Sequence, residues 1–179
     1  MHNQNDWQKK EVQSFASKLL EKQLIKYFGL SIYDKYAIPN HSIVKILQVP
    51  GSIFNQGILT SKELNLYLEA GGEVHVRSVF VQGLILMKTE NIPKNLNELI
   101  KPIKLFHNIA KEAGVDSISL AIQSVNKLCP KCKLVLGANN VKQLKEIFRK
   151  SSNLINNSII DEVLAMGKKF SNKLWDPRN

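Results

Sequence analysis

Four groups of polar residues stand at the ends of apolar, β-branched runs, and their chemistry suits an anion or a polar ring. Ser31 follows YFGL, Gln48 follows KIL, Arg77 and Ser78 interrupt VHVRSVFVQG, and Gly137-Ala138-Asn139-Asn140 follows KLVL. A charged side chain inside an apolar strand needs a partner when buried, so Arg77 predicts either a bound phosphate or carboxylate or a structural ion pair. The turn in GANNVKQL runs into a helical pattern, where backbone N–H groups and the helix dipole favour an anion. Cys129-Pro-Lys-Cys132 has the C-x-x-C spacing of half a zinc site or of a redox pair. His2, His41, His75 and His107 lie at no spacing that would complete a zinc site, so no metal is expected. The motif precedes a strand run, whereas a thiol-redox centre follows one, and two free thiols in a loop are the expectation. His75 and His107 read as structural. No paired carboxylates, G-x-S-x-G, H-E-x-x-H or Walker-type loop is present, so the residues alone compose no complete catalytic constellation.

These groups need elements to position them. Val12, Phe15, Ala16 and Leu19 recur at helical spacing after Asp6, which suits the N-cap of a first helix reaching about Glu21. IKYFGLSIY and IVKILQV read as strands, Thr60 and Glu63 as a capping box before LNLYLEA, and VHVRSVFV as a third strand. Leu99, Ile103, Phe106, Ala110 and Ala113 form a helical stripe that Pro102 is expected to kink or restart. SISLAIQSVNKL continues as helix, KLVLG as the fourth strand, and VKQLKEIFRK and the segment around Ile159, Val163, Met166 and Phe170 as two more helices. Strands alternating with helices predict an α/β fold with a parallel sheet and right-handed crossovers. Four parallel strands make neither a closed barrel of eight nor a comfortable open sheet, because both outer strands are edges. The link from Asp34 to Ser42, nine residues with Pro39 among them, is shorter than the dozen or so that a parallel crossover takes.

A chain of 179 residues with 44% hydrophobic content suits one domain with a real core. No apolar run approaches the roughly 18 residues that span a bilayer, and the start MHNQNDWQKK is polar, so a cytoplasmic protein without membrane contact is expected. The net charge of +10 comes almost wholly from lysine, with arginine only at 77, 149 and 178, and the lysines are scattered. A solvated basic surface explains that pattern better than nucleic-acid binding, for which the chain has no basic block or aromatic-plus-basic string.

Taken together and in order, YFGLSIYD, ILQVPGSIFNQG, HVRSVFVQGLILM, GANNVKQLKEIF and the terminal WDPRN resemble the C-terminal half of bacterial aldo-keto reductases, over nearly the whole of residues 1–179. The VRSVF-QG string and the DPR tail are the more specific. The resemblance implies one partial domain, an incomplete (β/α)8 TIM barrel whose four strands match the fifth to eighth. It also implies an NADP-dependent carbonyl or alcohol oxidoreductase, with NAD left open because Gly137 and Gln143 offer no basic partner for a 2'-phosphate. By the same resemblance Ser31 and Gln48 stand toward the nicotinamide carboxamide, and Arg77 and Ser78 beside the nicotinamide and pyrophosphate. Gln82 and Gly83 belong to a phosphate loop, and Asn139, Gln143 and Glu146 surround the adenosine end. His2 is the match for the histidine of the family's catalytic tetrad. The tetrad's aspartate, tyrosine and lysine come from the first half of the barrel and have no counterpart here, so the isolated chain is expected to be inactive. A missing N-terminal half-barrel chain or self-association would complete it, and a small carbonyl compound would then be the substrate. A non-catalytic half-barrel remnant or interaction module is the alternative. After the sixth strand the family reads N-x-x-D-Q-R, where this chain has Ser52, Asn55, Gln56 and Gly57.

Overall fold

The computed structural model describes residues 1, 4–39, 43–170 and 175. Its centre is a parallel sheet of four strands in chain order, β1 (Phe28–Ser31), β2 (Val44–Pro50), β3 (Glu73–Arg77) and β4 (Lys133–Leu134). The expected order of elements is the observed one. Helix α1 (Lys10–Glu21) precedes β1, α2 (Lys62–Glu69) joins β2 to β3, and α3 (Ile100–Glu112) and α4 (Ser117–Leu128) lie between β3 and β4. After β4 come α5 (Val141–Ser151) and α6 (Asn157–Lys169). The sheet does not close on itself and is an incomplete barrel.

Strand alternation divides the sheet into two unlike faces. Leu30, Leu47, Val49, Val74 and Val76 are buried, together with Leu64, Phe106, Leu120, Val125 and Val163 from the helices, in one core cluster. Gly29, Ile46, Gln48, His75 and Arg77 occupy the alternate positions and are only half-buried. The helices therefore cover one side of the sheet and leave the other open.

Several local expectations shift, each for a visible reason. Asp6 does not cap α1; a 3-10 helix (Gln4–Gln8) intervenes, and the Asp6 carboxylate instead accepts from Lys9 Nζ at 2.7 Å. The cap of α2 is Ser61, whose Oγ accepts from Leu64 N at 3.2 Å, while Thr60 Oγ1 turns back to Gln56 O. Pro102 neither kinks nor restarts α3, because it is the third residue, in the first turn, where an amide has no intrahelical acceptor to lose. The third strand stops at Arg77, since Ser78 takes a left-handed φ of 64° and turns the chain away. β4 shortens to two residues on the sheet's edge, its pairing prolonged by Val135 N to Val76 O at 2.8 Å. The short link after β1 nevertheless makes a parallel crossover, with a 3-10 turn (Lys35–Ala37) and no α-helix among its described residues.

The cysteines are the clearest departure. Cys129 ends α4, and Cys132 N donates to Cys129 O at 3.0 Å, so one tight turn brings their Cα atoms to 5.4 Å and the sulfurs are joined as a disulfide. Free thiols were expected; the turn geometry pairs them, and both are buried. Gln56 and Gly167 anchor α6. The Gln56 amide donates to Ile53 O and Leu164 O at 2.6 and 2.8 Å, and a Cβ on Gly167 would collide with the Ile53 carbonyl. Trp175 closes this corner by stacking on Phe54 with ring centres 3.9 Å apart.

Candidate functional site

Register, rather than sequence proximity, assembles the site. Ser31 pairs with Gln48, Gln48 with His75, and Pro50 with Arg77, so the alternating side chains of three strands share the open face near their C-terminal ends. Arg77 crosses this face. Its Nη2 donates to Ser31 Oγ at 3.5 Å, and its guanidinium carbon lies 4.4 Å from the centre of the Tyr33 ring, a cation–π arrangement. Arg77 Nε is buried and has no hydrogen-bond partner among the described residues. Of the two readings open for Arg77, a structural ion pair is not what the structure contains: none of the ion pairs among the described residues includes it. A positive charge with one unused buried donor, held by an aromatic face, suits a planar or anionic ligand. Met1, Gly29, Leu30, Ser31, Ile46, Gln48 and His75 line an open groove on this part of the sheet.

The loop after Arg77 is built from unusual backbone. Ser78, Val81 and Gln82 have φ values of 64°, 49° and 56°, and Gly83 follows at 87°. Left-handed conformation is rare for a β-branched residue such as Val81 and costs on the order of 1–2 kcal/mol per residue. Hydrogen bonds Val81 N to Ser78 O at 2.8 Å and Gly83 N to Phe80 O at 2.9 Å hold it, and buried Val79 and Phe80 pin it to the core. Sequence reading marked Gln82 and Gly83 only by resemblance; nothing in side-chain pattern announces three successive left-handed residues.

The second predicted group stands apart, at the start of α5. Asn140 caps that helix by accepting from Gln143 N at 2.9 Å, and Gln143 Oε1 accepts from Asn139 N at 2.8 Å. Two of the amides that the GANN turn would offer an anion are thus already engaged, and Asn139 and Gln143 are exposed. Glu146 is committed elsewhere: Lys150 Nζ donates to its carboxylate at 2.5 Å and to Asp116 at 2.6 Å. Sequence reasoning missed Tyr33, whose ring carries Arg77. It lies two residues beyond Ser31, a spacing that in a strand means one face. His2 lies outside the described residues.

At the opposite ends of the same strands, Glu73 sits between Lys133 Nζ at 2.8 Å and His75 Nε2 at 2.5 Å. Hydrogen bonds from Lys133 first and His75 second hold its carboxyl below the usual carboxylate range. His107 donates from Nε2 to Ile85 O at 2.8 Å, a structural role as expected. Among the described residues no group of three His, Cys, Asp or Glu is placed to hold a metal, and no helix is long and apolar enough to cross a membrane.

No family model and no curated protein matches the sequence. Solved structures do match. An aldo-keto reductase from Bacillus halodurans in its holo form is 17% identical, with a TM-score of 0.64 over 89% of this chain and 56% of its own. Glycerol dehydrogenase from Gluconobacter oxydans is 17% identical, with a TM-score of 0.62 over 83% and 51%. Aldose reductase from Giardia lamblia is 15% identical, with a TM-score of 0.63 over 88% and 50%. The chain spans about half the length of these structures. At such identity the likeness establishes the fold, which is that of a partial aldo-keto reductase barrel, the family that the sequence strings resemble.

Proposed function

We propose that this chain is the cofactor-side half of an NAD(P)-dependent aldo-keto reductase barrel, unable to reduce carbonyl compounds by itself. The observation that carries the reading is Arg77: a cation with an unused buried donor, beside Ser31 and Gln48, on the open face at the strand ends. That cluster fits the nicotinamide and pyrophosphate end of a dinucleotide. Ser31 and Gln48 would hold a carboxamide by hydrogen bonds, Arg77 would meet phosphate charge, and the left-handed turn at Ser78 and Val81–Gly83 would fix the backbone around it. The adenosine end at Asn139 and Gln143 would have to exchange internal hydrogen bonds for ligand. A bound nicotinamide dinucleotide supplies hydride, with NADP favoured over NAD by resemblance alone.

Hydride delivery leaves negative charge on the carbonyl oxygen, which an oriented acid must neutralise. The resemblance assigns that acid to the half-barrel this chain does not match, and its loss removes on the order of 10² to 10⁴ in rate. Purified chain mixed with NADPH and a model aldehyde is therefore expected to show no turnover above background; clear turnover would sink the reading. Titration of NADPH against the chain and its Arg77→Ala variant at two salt concentrations tests the binding half. The expected loss is about 10-fold or more, from a charge-assisted hydrogen bond worth roughly 1.5–3 kcal/mol. Equal affinities, with duplex DNA bound more tightly than NADPH, would replace the cofactor site with a general basic surface.

A further inference from the structure

The C-x-x-C pair has no part in the cofactor-side reading, yet it sits where the sheet is thinnest. Cys129 is the C-cap of α4 and Cys132 stands one residue before β4, so the disulfide ties the end of a helix to the start of the shortest strand. The link encloses only Pro130 and Lys131, both exposed, and the same turn is closed by the hydrogen bond from Cys132 N to Cys129 O at 3.0 Å. That hydrogen bond does not require the sulfurs to be joined, and a buried thiol packs as a small apolar group in the core cluster to which both cysteines belong. Oxidised and reduced forms therefore share one fold and differ in how firmly β4 is held. β4 has two paired positions with β3, extended by Val135 N to Val76 O at 2.8 Å. Directly after Cys132, Lys133 Nζ holds the Glu73 carboxylate at 2.8 Å, and Glu73 in turn bonds His75, which lines the groove on the open face. Breaking the sulfur link thus loosens a run of contacts that reaches from α4 to that groove. Lys127 and Lys133 are paired with Asp161 and Glu73, whereas exposed Lys131, inside the turn, is in none of the ion pairs among the described residues, and its charge favours the approach of a thiolate.

We infer that Cys129 and Cys132 form a reversible thiol–disulfide exchange site for a low-molecular-weight thiol, and that its redox state sets how often β4 leaves β3. In the forward direction a thiolate of the small molecule attacks one cysteine sulfur, the bond between Cys129 and Cys132 breaks, and the other cysteine leaves as a thiolate that takes up a proton. A second small thiol cleaves the mixed disulfide. Two electrons and two protons have then passed from two thiols to the cysteine pair, and the thiols depart joined as their own disulfide. The reverse sequence, started by that disulfide, reoxidises the pair. Both cysteines are buried, 3% and 8% exposed, so attack waits for β4 to lift. The coupling is reciprocal: whatever opens β4 speeds reduction, and reduction favours opening. Neither step needs a bound dinucleotide, so failure of NADPH binding would leave the exchange unaffected.

The test equilibrates the full chain in buffers of stepped reduced-to-oxidised glutathione ratio and counts its free thiols by alkylation and mass spectrometry. Amide exchange at Val135 is followed in the oxidised and the reduced form. A reversible transition between joined and free thiols is expected within the series, with Val135 exchanging about tenfold faster after reduction, because a cross-link restricts the opened ensemble. Glu73→Gln weakens the hold on Lys133 and is expected to speed reduction by about two- to fivefold, the range of an exposed ion pair. A pair that stays joined at every ratio is a fixed staple, and a pair that stays free at every ratio never closes; either result overturns the inference. Equal Val135 exchange in the two forms, or a reduction rate that Glu73→Gln leaves unchanged, would overturn the link to β4 on which it depends.

Discussion

The two faces of the sheet are made from the same three strands and do opposite things. On the helix side, Leu47 and Val76 are fully buried within the hydrophobic core cluster; on the open side, Gln48, His75 and Arg77 are half-buried and polar. Residues one position apart therefore belong to different economies of free energy, one of packing and one of recognition. The difference is sharpest between Leu47 and Gln48. Leu47→Ala removes buried methyl groups and leaves a cavity, so urea unfolding should report a loss of about 2–5 kcal/mol. Gln48→Ala should cost under about 1 kcal/mol, because no packed volume is lost on the open side. Equal losses would mean that the open face is packed in solution and that the contrast between the faces is false.

A smaller effect sharpens the contrast from the helical side. Lys150 ties α5 to α4 through Asp116, the N-cap of α4, while Glu146 of its own helix holds the ammonium group in place, backed by Ser119 Oγ to Lys150 O at 2.9 Å and Gln123 Nε2 to Ser151 O at 2.8 Å. Burial disfavours the Asp116 carboxylate, but hydrogen bonds from Lys150 and from the amides of Ser119 and Ile118 outweigh it and set the group below its ordinary value of 3.8. Its folded pKa is lowered, so its contribution is present above that ordinary value and is lost as pH falls through the lower folded one. Lys150→Met should cost roughly 1–2 kcal/mol near neutral pH, and the difference from the parent chain should shrink as unfolding is followed into acid below 3.8. A difference independent of pH would show that the carboxylate is not what Lys150 serves. The smallest stability change is expected at Arg77. Arg77→Ala should shift urea unfolding by less than about 1 kcal/mol, since its single side-chain hydrogen bond is 3.5 Å long. A larger loss would move Arg77 from recognition to architecture.

What could be read from the sequence follows the same division. The helix side was legible because Leu30, Leu47, Val49, Val74 and Val76 recur at the period of a strand, and the helices at theirs, so element order and parallel class follow from hydropathy. Ser31, Gln48 and Arg77 were legible as polar interruptions, and register alone was needed to gather them. The caps at Ser61 and before α1 were misplaced by a few residues because Thr60 and Asp6 are equally good cap formers and only tertiary geometry chooses. The left-handed run through Val81 and Gln82 was invisible, since neither residue type favours it and buried Val79 and Phe80 impose it. The disulfide was invisible for a similar reason: two cysteines in a turn are the same letters whether joined or free.

The brevity of β4 carries a consequence for the order in which the protein comes apart. β1 joins β2 across the interval from residue 28 to 44, and β2 joins β3 from 46 to 73, each over four or five paired positions. β4 joins β3 from 75 to 133 with two. Closing the longer interval costs about 0.6 kcal/mol more for each doubling, and fewer rungs repay it. The pairing of β4 is therefore expected to be the part of the sheet that opens first, while α6, held to Ile53 through Gln56 and Gly167, stays with the first three strands. Amide exchange at Val135 is accordingly expected to be faster than at Leu47, with the cluster around Arg77 intact.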